Sequence, residues 1–160
     1  MKLKSIDYLN ISGHFTEDEI MVQHTAKDFV ENEVLPTIEN HFEEGSFPLE
    51  MVKKFGDLGF LGMNLPEKYG CAGMSHVAYG LLCQELERGD SGIRSFVSVQ
   101  GSLVMYPIYA YGSEQQKEKW LPRLASGEKI GCFGLTEPNH GSNPGGMLTS
   151  AKKVDDGYIL

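Results

Sequence analysis

The chain has 160 residues, 41% of them hydrophobic, which is enough for one folded domain and a fraction of another. Lys and Arg number 14 against 22 Asp and Glu, giving a net charge of -8 and a pI near 5.1. That balance excludes phosphate-backbone binding as the main task and disfavours nucleic acid and anionic membranes as partners.

The start, MKLKSIDYLN, has no apolar run long enough for a secretory signal, and Asp7 comes early for a transit peptide. No apolar stretch approaches the roughly 20 residues needed to cross a bilayer. Thr16 and Glu19 then have the spacing of a capping box, and Val22, Ala26, Phe29, Val30 and Val34 recur at helical intervals until Pro36. A shorter helix is predicted after Phe47-Pro48, with Val52, Phe55 and Leu58 on one face and Gly59 as its stop. LPEKYGCAGMS reads as a loop. Ser75 caps a helix carrying Val77, Leu81, Leu82 and Leu86 up to Gly89, and Asp90 caps the next, through Phe96, Val97, Leu103 and Val104 towards Pro107. Ser113 and Gln116 form a second capping box, opening a helix with Trp120, Leu121 and Leu124 that closes near Gly127.

From Lys129 the pattern changes. KIGCFGL, MLTSAKKV and YIL, the last two separated by a DDG turn, read as strand, strand and hairpin partner, so a domain junction is expected near residue 128. The last strand has three residues where about 5 or 6 are usual, so the chain is expected to be the front part of something longer. Cys71, Cys83 and Cys132 are odd in number and lack CxxC or Cys/His ligand spacing. Neither a disulfide framework nor a metal site is expected, and the thiols point to a cytoplasmic setting.

Two stretches carry chemistry. LTEPNHGSNPGG, residues 135 to 146, follows a predicted strand and offers main-chain N–H groups with the hydroxyls of Thr136 and Ser142. Such a loop suits an acceptor-rich ligand, a flavin or a phosphate; an ordinary surface connection is the alternative. It is neither a P-loop nor a dinucleotide fingerprint, since GK[ST] and GxGxxG are both absent. His140 reads as an exposed loop histidine. In ERGDSGIRSFVSVQ, Arg94 and Ser98 are four apart on one helical face with Ser95 beside them, and Glu87 stands before the turn. Arg94 among Ile93, Phe96 and Val97 needs a partner, which is either a structural ion pair with Glu87 or a ligand carboxylate.

The segments GFLGMNLPEKYGCAG, VAYGLLCQELERGDSGIRS, YPIYAYGSEQQKEKWLPRLASGE and GCFGLTEP, in this order, resemble the acyl-CoA dehydrogenase family, and most of all its glutaryl-CoA dehydrogenase branch. The resemblance implies a mainly α fold: an N-terminal helical domain, residues 1–128, followed by the first strands of a middle β domain, residues 129–160, which is incomplete here. It implies FAD as cofactor, with Phe133, Leu135 and Thr136 along the flavin edge and Gly141 and Ser142 serving the flavin and the thioester near the pyrophosphate turn. It also implies that Arg94, supported by Glu87, Ser95 and Ser98, meets the distal carboxylate of glutaryl-CoA. The family usually has a small residue where His140 stands and aspartate where Asn143 stands.

The implied reaction belongs to fatty acid and amino acid catabolism. An α-proton is abstracted, hydride passes from the β-carbon to the flavin, and carbon dioxide is released to give crotonyl-CoA. An electron-transfer flavoprotein would reoxidise the cofactor, and the full-length protein would be a homotetramer, in the mitochondrial matrix if eukaryotic. The base is expected in a C-terminal domain outside these residues, so no catalytic residue is assigned here and the chain alone is expected to be inactive; Glu137 is expected to hold the shape of the loop. Two other readings stand beside this one: a dehydrogenase for monocarboxylic acyl-CoA, and a non-catalytic helical binding or interaction module.

Overall fold

The computed structural model describes residues 7–160, so the first six residues of the expected N-terminal domain lie outside the described residues. Helix α1 (Glu17–Phe29) opens on the capping box of Thr16 with Glu19 and runs on through a π-helical turn, Val30–Val34. Its five expected apolar residues, Val22, Ala26, Phe29, Val30 and Val34, are all buried. Helices α2 (Ile38–Glu44) and α3 (Met51–Asp57) follow. Gly59, just past α3, takes the left-handed φ of 69° that a helix stop requires.

Helix α4 (His76–Gly89) is capped by Ser75, whose hydroxyl accepts from the Ala78 N–H. Asp90 turns the chain and caps α5 (Ser91–Ser98) by accepting from the Ile93 N–H at 2.8 Å. Without a break, α5 continues as a second π-helical stretch, Val99–Met105, and then as α6 (Tyr106–Tyr111). The capping box of Ser113 and Gln116 starts α7 (Glu114–Ala125). Helix α1 packs on α4, α4 on α5, and α7 against α6 and the second π stretch. The core between them holds Phe29, Phe55 and Phe60 in edge-to-face contact, with Leu82, Leu86, Ile93, Val97 and Leu121 fully enclosed. Burying each such side chain contributes about 1.5–3 kcal/mol.

Three expectations fail. The strand predicted over residues 129–135 is extended chain without a ladder: among the described residues the only strands, β1 (Lys152–Val154) and β2 (Gly157–Ile159), pair with each other, antiparallel. A β-pattern in sequence becomes a strand only where a second strand lies alongside to accept its hydrogen bonds. MLTSAKKV likewise contracts to Lys152–Val154. Val77, Leu58, Leu103 and Trp120, expected on the inner faces of their helices, lie at their edges and are exposed. Helix α2 has no counterpart in the sequence reading, because IENHFEE is mostly polar and only Ile38 packs, partly buried, against the core.

Candidate functional site

Arg94 stands on α5, facing the last turn of α4. Its Nε donates to Glu87 Oε2 at 2.6 Å, and its Nη1 donates to Ser98 Oγ at 3.3 Å, one helical turn further on. The Ser98 hydroxyl donates in turn to the Ser95 carbonyl, and Ser91 Oγ donates to the other oxygen of Glu87 at 2.6 Å. The four predicted residues therefore form one group, although Ser95 takes part through its main chain. The ion pair expected between Glu87 and Arg94 is present, and about a third of the Arg94 side chain remains exposed. Its hydrogen bonds to Arg94 and then to Ser91 hold the Glu87 carboxyl below the ordinary range, and the same pairing raises Arg94. Behind them, Tyr79 OH and Ser102 Oγ lie 3.0 Å apart, and burial pushes both the Tyr79 phenol and the Cys83 thiol upward.

The second group lies on the extended segment after α7. Phe133 and Leu135 expose apolar surface, and Thr136 is exposed beside them. Among the described residues, the main-chain N–H groups of Phe133 to Thr136 make no hydrogen bond. Glu137 ends this strip: its two carboxylate oxygens accept from the Leu148 N–H at 2.9 Å and the Thr149 N–H at 2.8 Å, closing the loop between them. Those bonds, that from Leu148 first, keep its carboxyl below the usual value. Gly141 and Ser142 are exposed within the closed loop. His140 is not the exposed histidine expected. Its Nδ1 is buried without a partner, and a Cβ on Gly146 would lie 2.8 Å from it.

The residue that sequence reasoning missed is Gln100. Its side chain is 1% exposed, and it bonds to main-chain groups of two other segments: Nε2 donates to Leu124 O at 3.0 Å and to Lys129 O at 2.9 Å, while Oε1 accepts from the Gly131 N–H at 3.0 Å. A lone glutamine in an apolar run was the only available signal. No hydrogen bond or ion pair among the described residues joins the Arg94 group directly to the strip; Gln100 ties the helix that carries Arg94 to Lys129 and Gly131, at the start of the extended segment.

Residues 16–128 match the acyl-CoA dehydrogenase N-terminal domain. The chain belongs to the acyl-CoA dehydrogenase family. Among solved structures of that family, glutaryl-CoA dehydrogenase from Mycobacterium smegmatis is 53% identical, with a TM-score of 0.89 over 96% of this chain and 40% of that one. A second structure of a glutaryl-CoA dehydrogenase from the same organism, in complex with FADH2, is 54% identical with a TM-score of 0.87, covering 92% of this chain and 38% of that one. The mitochondrial short-chain specific acyl-CoA dehydrogenase of Rattus norvegicus is 39% identical over 93% of this chain and 36% of its own length. This acyl-CoA dehydrogenase chain thus spans about two fifths of the relatives it matches.

Proposed function

We propose that the chain forms the carboxylate-gripping and flavin-facing part of an FAD-dependent dehydrogenase that oxidises and decarboxylates glutaryl-CoA to crotonyl-CoA. The observation that carries this reading is Arg94, a planar guanidinium held in register by Glu87 and Ser98 yet open to solvent on one side. A guanidinium offers parallel N–H bonds to a carboxylate, which a monocarboxylic acyl chain does not supply. Ser98 supports the grip beside Arg94, and Ser95, on the same turn, orients the Ser98 hydroxyl through its carbonyl.

The strip at residues 133–136 fits a flavin. Phe133 and Leu135 provide apolar surface for a flat ring, and the unpaired N–H groups with the Thr136 hydroxyl provide donors for its acceptor edge. Bound there, a flavin would supply the acceptor for hydride from the β-carbon of the acyl chain. Donors fixed by Gln100 and Glu137 favour the added negative charge without rearranging. Gly141 and Ser142, in the loop that Glu137 closes, face the thioester and pyrophosphate side. We assign no catalytic base to these residues. Reoxidation by an electron-transfer flavoprotein, a homotetrameric assembly and a cytoplasmic or mitochondrial-matrix location belong to the same proposal; the free thiols of Cys71, Cys83 and Cys132 support a reducing compartment. Residues 1–128 and 129–160 are its two domains.

A second reading, oxidation of monocarboxylic acyl-CoA, stands beside it, since the 39% identical rat relative is a short-chain specific acyl-CoA dehydrogenase. Under it, Glu87 neutralises Arg94 permanently and the carboxylate of glutaryl-CoA does not compete for it.

Nitrogen-resolved NMR of the chain, titrated with FAD and separately with glutaryl-CoA and butyryl-CoA, tests the proposal. FAD should give saturable shifts at the amides of 133–136 and 141–142, with binding too weak to survive gel filtration. Glutaryl-CoA, which keeps a free carboxylate, should shift the Arg94 Nε–H signal where butyryl-CoA, which has none, does not. No FAD response at those amides, or equal responses of Arg94 to the two thioesters, would count against it.

A further inference from the structure

Gln100 lies in the π-helical stretch between α5 and α6, in the unbroken helix that carries Arg94 six residues earlier. A buried primary amide brings two donors and an acceptor, and each left unmatched is costly. All three are matched, and none of the partners is in its own helix: Leu124 O closes α7, and Lys129 O and Gly131 N–H begin the strip. We propose that Gln100 is a positioning residue, setting the strip of residues 131–136 against the Arg94 helix and so fixing the separation between carboxylate grip and flavin surface. This rests on the flavin reading above.

The geometry leaves little else to do that work. Sideways, the strip is pressed on the helix, since a Cβ on Gly131 would meet Val104 Cγ1 at 2.3 Å. Lengthwise, its near end is tied by Gln100 and its far end by Glu137. Between these anchors the N–H groups of Phe133 to Thr136 bond to nothing in the described residues, so the placement of that stretch is inherited from its ends. The π-helical turn has a local reason too. One additional residue per turn re-aims a side chain without ending the helix, a device frequent at functional sites. From Arg94 to Gln100 the helix rises about 9 Å, and from Gly131 to Thr136 an extended chain covers about 17 Å. A rigid helix and a short tether thus relate two groups that never touch.

The test uses the whole 160-residue chain with Gln100→Met, which keeps the length of the side chain and removes its hydrogen bonds. Tyr69→Phe serves as control: it deletes the hydrogen bond from Tyr69 to Glu114 at the opposite end of α7. Three quantities are read: hydrogen exchange at the Gly131 amide, alkylation of exposed Cys132, and the FAD concentration that half-saturates the shifts at 133–136. Gln100→Met should speed Gly131 exchange about tenfold while α4 amides stay protected, raise Cys132 alkylation, and raise half-saturating FAD about tenfold. Tyr69→Phe should move none of them. Unchanged Gly131 exchange in Gln100→Met overturns the proposal, as does an equal loss of FAD binding in both variants at matched stability. If Gln100→Met does not fold, Gln100→Glu is read in its place. Protonated in so enclosed a site, it keeps one donor and the acceptor, so intermediate values support the proposal and wild-type values overturn it. Absence of any FAD response in the wild type sinks the flavin reading, and Gly131 exchange still decides whether Gln100 sets the strip.

Discussion

Alanine at position 131 measures how closely the strip is pressed on its helix. A Cβ there would lie 2.3 Å from Val104 Cγ1 and 2.9 Å from Cγ2. Carbon atoms in favourable contact are about 3.5–4.0 Å apart, so the strip must withdraw by about 1.2 Å or Val104 must leave its rotamer, which is stiff in a helix. Overpacking of this kind costs about 1–3 kcal/mol. Withdrawal also lengthens the 3.0 Å bond from Gly131 N–H to Gln100 beyond hydrogen-bonding range, adding about 1 kcal/mol. Gly131 has no positive φ, so alanine meets no backbone strain, and without the clash it would stabilise the protein by about 0.4–1 kcal/mol. The expected net loss is about 1–3.6 kcal/mol, or roughly 2–14 °C in Tm for a chain of this size. Urea unfolding followed by circular dichroism measures it. Val104→Ala removes both Cγ atoms, so the double variant should lose about 1–2 kcal/mol less than the two single losses combined. Strictly additive losses, or a Gly131→Ala protein as stable as the wild type, would refute the reasoning.

Three further outcomes follow from the same structure. Glu137 has a depressed folded-state pKa, so its contribution is complete above its ordinary value of 4.5 and is lost as pH falls through the lower folded value. The Leu148 and Thr149 amide signals should therefore titrate with a midpoint below 4.5; a midpoint at or above it contradicts the closed loop. Ser75→Ala removes the cap of α4 and the 2.6 Å bond to Glu19 that ties α4 to α1, and should cost about 1 kcal/mol by thermal melting. No change in Tm would mean the cap is idle. Burial pushes the Cys71 thiol up to about 11, so iodoacetamide at pH 8 should modify exposed Cys132 first and spare Cys71; mass spectrometry showing the reverse order would contradict the packing around Cys71.

Much of the helical part was legible because its signals are local. The cap residues Thr16, Ser75, Asp90 and Ser113 each accept the predicted N–H, and the apolar spacing from Val22 to Val34 maps onto one buried face. The ion pair of Arg94 with Glu87 was legible as a requirement, since a guanidinium in an apolar run needs a partner. What escaped depends on distant groups. The 129–135 segment has strand composition, but a strand needs a neighbour, and none lies beside it among the described residues. The π-helical turns at Val30–Val34 and Val99–Met105 have no residue signature, being set by how the helix meets the rest of the core. Gln100 is the clearest case, because its importance lies wholly in carbonyls and an amide 24 to 31 residues away.

The most direct measurement grafts this chain in place of the matching N-terminal part of the Mycobacterium smegmatis glutaryl-CoA dehydrogenase and compares kcat/KM for glutaryl-CoA and butyryl-CoA, with and without Arg94→Ala. Glutaryl-CoA should be preferred at least about tenfold, and Arg94→Ala should abolish the preference while sparing butyryl-CoA oxidation. Equal turnover of the two thioesters by the unsubstituted graft, or equal proportional loss of both in Arg94→Ala, would contradict it.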